Sequence, residues 1–244
     1  MAETFRQKLQ RTANALLHPL GLHLARADRA FEMDGLLARA ADRGAQVATW
    51  IDVGASDGVW SRRAQRRFPR AKFLLFEPLA EHAAALRALE RSHGFAHVAA
   101  AAGAAPGEIA FAVDPQLDGS GVAAPGAAGT RTVPVETIDR AIAARRLSGP
   151  FGLKLDTHGH ELPVLGGAAR TLESATLLVI EAYNFPLTPG CLRFHELCAW
   201  LEPRGFRCLD LADPMRRPRD GALWQVDLAF ARADSPPFAT NTYD

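Results

Sequence analysis

Four ionisable side chains fall within six residues in the segment GLKLDTHGHE: Asp156, His158, His160 and Glu161. A carboxylate beside an imidazole can move a proton near neutral pH, because histidine titrates there and an acid can hold its ring in one orientation. His158 and His160 are both candidates for such a base, with Asp156 as its orienter. Asp156 could instead hold a hard divalent cation such as Mg2+, and Glu181, which ends the apolar run TLLVIEA, would be its second carboxylate ligand if the two strands are neighbours. Tyr183 and Asn184 follow directly in EAYNFP, placed to touch an acceptor or only to form a turn. The competing reading of the cluster is structural: Asp156 and Glu161 favour the positive end of a helix beginning near His160, and the histidines are hydrogen-bonded within the loop.

A second constellation lies upstream. WIDVGASDG places Asp52, Gly54, Ala55, Asp57 and Gly58 at the end of an apolar run and before a helical pattern. Glycine lets backbone approach a ligand closely, and the start of a helix offers unpaired N–H groups. A pyrophosphate-binding loop reads GxGxxG, whereas here only Gly54 and Gly58 are present and acids flank them. Those acids repel a pyrophosphate and suit a ligand carrying an ammonium and a sulfonium, as S-adenosylmethionine does. Glu77, followed by Pro78, ends FLLFEP 25 residues beyond Asp52, about where an acid can receive both ribose hydroxyls. HVAAAAG has no acid to meet an adenine amino group, so adenine falls to backbone groups and apolar contacts at Ala99 and Ala100.

These residues need a scaffold that brings strand ends together. After Gly44, short apolar runs alternate with helical patterns, the mark of βα units and a mostly parallel sheet. The expected strands are VATWIDVG, KFLLFEP, AHVAAAA, GLKLDT and TLLVIEA, and the expected helices SRRAQRRF, AEHAAALRALERSH, ETIDRAIAARR and HELPVLGGAARTLES. The chain then reads helix, RFHELCAWLEPRG, and two strands, RCLDLAD and LWQVDLAFAR. The expected fold is a doubly wound α/β sheet, Rossmann-like, with an antiparallel last strand. Residues 103–130, rich in Gly, Ala and Pro, read as a loop excursion with one short hairpin around EIAFAV. Two amphipathic helices, Glu3 to about Leu17 and Arg29 to about Arg43, separated by HPLGLH, precede the sheet as a cap or a homo-oligomer contact. The expected division is a helical cap over 1–45, one domain over 46–232 and a tail over 233–244.

Composition narrows the partners. The chain has 244 residues, 48% hydrophobic and 23% charged, with a formal net charge of +1. That balance argues against a polyanion as partner, so nucleic acid is not expected. Arg62, Arg63, Arg66, Arg67 and Arg70 crowd one helix and could steer an anionic acceptor or meet a membrane surface, although a solvated face explains them as well. Cys191, Cys198 and Cys208 are odd in number and lack CxxC spacing, which fits a reducing, cytoplasmic location. No run of about 18 apolar residues occurs, so no transmembrane segment is expected.

Taken in order, IDVGASDG, FEP, VPVETID, LKLDTHGHELPVLGGA and LLVIEAYN resemble the FkbM family of methyltransferases over roughly residues 48–232. The resemblance implies an S-adenosylmethionine donor and a hydroxyl acceptor on a saccharide, glycolipid or secondary metabolite. It assigns Asp52, Gly54 and Glu77 to the cofactor and sets Asp156 and Glu161 by the reacting centre. Many relatives carry DxEGxE where this chain has His158, which replaces a carboxylate by an imidazole. Two other readings compete. A catalytically silent module that binds the cofactor or a partner would need no acid at a reacting centre, and a nicotinamide oxidoreductase would want the missing glycine and no terminal strand pair.

Overall fold

The computed structural model describes residues 5–20, 31–117, 119–124, 126–127 and 129–243. The expected beginnings of the two N-terminal helices, at Glu3 and Arg29, and the Gly21–His23 part of the break between them lie outside the described residues. Within them, α1 spans Phe5–Leu17 and α2 spans Met33–Asp42.

Seven strands form the central sheet: β1 (Thr49–Val53), β2 (Lys72–Phe76), β3 (Ala96–Val98), β8 (Phe151–Leu155), β9 (Ala175–Tyr183), β10 (Phe206–Arg216) and β11 (Leu223–Arg232). Their order is β10-β11-β9-β8-β1-β2-β3. β1 pairs in parallel with β2 and β8, and β8 in parallel with β9, whereas β11 runs antiparallel to both β9 and β10. The expected terminal hairpin is therefore present, with its last strand inserted between β9 and β10. β1 and β8 are buried along their whole lengths, as strands covered on both faces must be.

The cover comes from helices on both sides. One apolar layer joins Ile51, Leu74, Leu153 and Leu178 to α5 (Ile138–Arg145), α6 (Glu161–Gly166) and α8 (Phe194–Leu201). The other joins Trp50, Phe73, Leu75 and Val179 to α2, α3 (Val59–Arg67) and α4 (Ala83–His93). α2 is fastened to the far edge of the sheet, where Arg39 donates to both oxygens of Asp210 at 2.7 and 3.1 Å and Arg43 adds a contact of 2.9 Å. Among the described residues, no helix is long and apolar enough to cross a membrane.

Two expectations change. The stretch 160–174 is two helices, α6 and α7 (Ala169–Glu173), because Gly167 passes so close to other backbone that a Cβ there would stand 2.0 Å from the Gly103 carbonyl oxygen. Residues 101–136 hold more than one hairpin: β4 (Ala101–Ala102), β5 (Gly107–Ala112), β6 (Gly121–Val122) and β7 (Thr130–Glu136) form a second, four-stranded sheet in the order β4-β7-β5-β6. Leu79, Phe111 and Val133 pack in a small apolar cluster of their own between this sheet and the loop after β2.

Candidate active site

The carboxyl ends of β1, β2, β8 and β9 and the inner face of the second sheet enclose a cavity of about 640 Å3. That is within the range of a site for a cofactor-sized ligand. Its wall includes Gly54, Ser56, Glu77 and Pro78 at one side and Asp156, His158, His160 and Glu181 at the other.

The β1 turn is shaped by backbone demands. Gly54 has φ +77°, and a Cβ on it would lie 2.1 Å from the Asp156 carbonyl oxygen, so no side chain fits where β1 and β8 converge. Gly58, also at φ +77°, caps α3, and a Cβ there would strike Leu89 at 2.3 Å. Asp57 Oδ1 accepts the Val59 N–H at 3.1 Å, which caps the same helix. Asp52 is fully buried and absent from the cavity wall, and its Oδ2 accepts the Ser61 hydroxyl at 2.7 Å. Burial pushes its carboxyl up to about 6. Asp52 thus holds the turn to α3, while Ser56 of the same turn reaches the cavity.

Glu77 stands at the end of β2 with both oxygens held by backbone: Oε1 accepts the Leu79 N–H at 2.8 Å and Oε2 the Ser56 N–H at 2.9 Å. Burial raises its pKa, opposed by these two hydrogen bonds. The carboxylate is fixed in orientation and still borders the cavity. On the apolar side, Ala101 and Ala102 line it together with Phe111 and Val122, and Ala99 and Ala100 do not. The chain turns after β3, so the alanines that face the cavity come two residues later than the strand pattern suggested.

Beyond β8 the charged groups converge. Lys154, buried within the strand, donates to Asp156 Oδ2 at 2.5 Å. His158 Nε2 lies 3.3 Å from Asp156 Oδ1 and 3.7 Å from Glu181 Oε1. His158 Nδ1 donates to the Ser120 carbonyl at 2.9 Å, which ties the second sheet to the site. Glu181 Oε1 accepts the Tyr183 hydroxyl, and Oε2 accepts Gln225 Nε2 at 2.7 Å. His158 itself is held at φ +51°, a conformation that costs energy in a residue with a side chain and recurs at functional sites.

Electrostatics follow from this packing. Burial raises the Asp156 carboxyl, but the Lys154 ammonium and His158 outweigh it and hold the group well below the usual carboxylate range. Burial works against a charged His158, yet Asp156 and Glu181 push its pKa up to about 9. Nδ1 faces a carbonyl and so carries a proton, while Nε2 faces two carboxylates and carries one only in the charged form; the neutral ring keeps a lone pair on Nε2. Burial and the neighbouring Asp156 charge push Glu181 up to about 7. Burial lowers His160, whose ring makes no hydrogen bond among the described residues. Glu161 is a brace: its Oε1 accepts the Gly159 N–H at 2.9 Å and the Thr157 hydroxyl at 3.0 Å, and it does not line the cavity.

Asp156 and Glu181 do meet, and with His158 they present ligand atoms within 4.8 Å of one another, the only such metal-ligating trio among the described residues. Tyr183 lines the cavity, whereas Asn184 turns away and donates to the Leu223 carbonyl at 3.2 Å. Lys154, Trp224 and Gln225 were not singled out from the sequence. A lysine inside the apolar run FGLKL was the one available signal, since an unpaired charge cannot sit in a strand covered on both faces.

A profile of the Methyltransferase FkbM domain matches residues 52–208. A search of curated protein sequences finds no match. Among solved structures, the chain is similar to an O-methyltransferase from Bacillus cereus in complex with S-adenosylhomocysteine, at 11% identity and a TM-score of 0.48 over 95% of this chain and 93% of that one. It is also similar to the 1,6-didemethyltoxoflavin-N1-methyltransferase of Burkholderia thailandensis, at 12% identity and a TM-score of 0.43 over 95% and 91%. The matched segment runs from the β1 turn, through Glu77 and the Asp156 cluster, into β10, well over half of the chain, and on that match the chain belongs to the FkbM family of methyltransferases.

Proposed function

We propose that the chain is an S-adenosylmethionine-dependent O-methyltransferase acting on a hydroxyl of a small molecule or glycan, in the class of saccharides, glycolipids or secondary metabolites. The observation that carries the reading is the shared cavity: the fixed Glu77 carboxylate and the Asp156–His158–Glu181 cluster border one space, with the side-chain-free Gly54 also on its wall. A silent binding module would need the first of these features and not the second.

The residues present fit the cofactor. Glu77 keeps lone pairs for ribose hydroxyls, and Ala101, Ala102 and Phe111 offer an apolar wall for a purine. When bound, the cofactor supplies an electrophilic methyl group on a sulfonium, and the protein must align an acceptor with it, exclude water and take up a proton. Glu181 is suited to the last task, because a carboxyl poised near 7 is substantially ionised at neutral pH and far more basic than an ordinary carboxylate. Glu181 would take up the proton that the acceptor hydroxyl gives up. Asp156 keeps Lys154 and His158 charged and in place. His160, neutral and unengaged on the same wall, is the reserve base.

A second reading uses a divalent cation on Asp156, His158 and Glu181 to acidify the acceptor hydroxyl. It is favoured by the convergence of the three ligand atoms and by the Nδ1–H to carbonyl bond of His158, the outer-shell pattern of ligating histidines.

Calorimetry tests the cofactor first. S-adenosylmethionine and S-adenosylhomocysteine are expected to bind and NAD is not; comparable NAD affinity would overturn the assignment. In the same experiment Glu77→Ala is expected to weaken cofactor binding by about 1–3 kcal/mol, the cost of losing hydrogen bonds to a charged group. An unchanged affinity removes Glu77 from the site.

A further inference from the structure

A second cavity, of about 270 Å3, borders the same β1 turn and shares Gly54, Ser56 and Asp156 with the first. The remainder of its wall comes from the β1 turn, α2, α3, β8 and the β10–β11 hairpin, and carries charges of both signs: Arg63 and Lys154 against Asp57, Asp213 and Asp227. Lys154 already has Asp156 at 2.5 Å. Arg63 forms no ion pair among the described residues, and the Asp227 carboxyl accepts no hydrogen bond among them. Burial, only partly offset by the Lys154 ammonium, pushes Asp227 up to about 7, so a second cation beside it would hold it ionised. The indole N–H of Trp60, another lining residue, is likewise without a partner. The opening turn of α3 also faces this space through Val59 and Trp60, with the partial positive charge of a helix start. An arginine without an ion pair and a carboxylate that accepts no hydrogen bond, at the walls of one small cavity, match a ligand that carries a carboxylate and an ammonium together.

We propose that this second cavity is the subsite for the amino-acid end of the cofactor, with Arg63 taking its carboxylate and Asp227 its ammonium. The inference rests on the cofactor reading above and moves the recognition of the ammonium from the acids of the β1 turn, Asp52 and Asp57, to the terminal hairpin. Asp52 lines neither cavity, and Asp57, which lines the second, already has Oδ1 engaged with the Val59 N–H that caps α3.

Calorimetry with two nucleosides decides it. S-adenosylhomocysteine carries the amino-acid end, and 5′-methylthioadenosine lacks it. The full chain is expected to bind the former at least about tenfold more tightly, the scale of a charged hydrogen bond. Asp227→Asn and Arg63→Ala should each remove about tenfold from S-adenosylhomocysteine binding and leave 5′-methylthioadenosine binding unchanged, which also reports that the variants are folded. Equal affinity of the unaltered chain for both nucleosides, or equal losses for both in the variants, overturns the subsite while leaving the cofactor reading intact. Binding of neither nucleoside overturns the two together.

Discussion

Replacing Asp156 by asparagine is expected to lower methyl transfer by about 10²–10⁴-fold, the range associated with a positioned proton-transfer apparatus. The carboxylate stands between two cations, with Lys154 at 2.5 Å and His158 at 3.3 Å, and its charge keeps both protonated and oriented. Asparagine keeps the shape and removes the charge, so the His158 ring loses the partner that most raises its pKa. Measuring turnover by wild type and Asp156→Asn, each with and without a chelator, also separates the two readings of the cluster. If the proton goes to Glu181 unaided, chelation leaves wild-type turnover unchanged. If a cation sits on Asp156, His158 and Glu181, chelation suppresses turnover and Mg2+ restores it. Full activity in Asp156→Asn would sink both readings, because each requires that carboxylate.

The sequence was most informative where a strand is covered on both faces. TWIDV, KFLLF, FGLKL and ATLLVIEAY are near-continuous apolar runs, and each became a strand of the central sheet at nearly its expected bounds. The second sheet was illegible for the opposite reason. β5 and β7 each bury only one residue, so they show little apolar periodicity, and Pro134 inside β7 argues against a strand there. The proline is tolerated because β7 meets its parallel neighbour β4 only through Val135 and Glu136, one residue later. The site was legible as a set of strand ends and illegible as a set of contacts. Motif spacing brought Glu77, Asp156 and Glu181 to one edge, but it could not show that Asp52 turns inward to Ser61 or that Glu161 braces its own loop. Nor could it show that Ser120, from a segment read as a loop excursion, would fix the tautomer of His158. Those assignments depend on which way a side chain points over a distance of one residue, and that is decided by packing from elements remote in sequence.

The pH dependence of turnover gives the second large effect, and its sign follows from two opposed ionisations. Glu181 faces Asp156, His158, Lys154 and the Tyr183 hydroxyl, and burial with the Asp156 charge pushes its pKa up to about 7. Below that pH it holds a proton and cannot accept another, so turnover should rise as pH increases through about 7. His158 is raised to about 9 because Asp156 and Glu181 favour its charged form, so the imidazolium is present below that pH and lost above it. Loss of that positive charge removes the cation set between Asp156 and Glu181 and leaves Lys154 alone to balance both carboxylates, so turnover should fall as pH passes about 9. The expected profile is a bell between these limits. Glu181→Gln should abolish the acid limb and reduce turnover by about 10²–10⁴-fold, since the amide has no basic lone pair at any accessible pH. Cofactor affinity should stay within a few-fold, because the cofactor-contacting groups proposed above do not include Glu181. His160→Ala supplies the control: if it, and not Glu181→Gln, removes the acid limb, then the proton goes to His160. The Glu181 assignment fails in that case, because a base must carry with it the ionisation that its protonation controls.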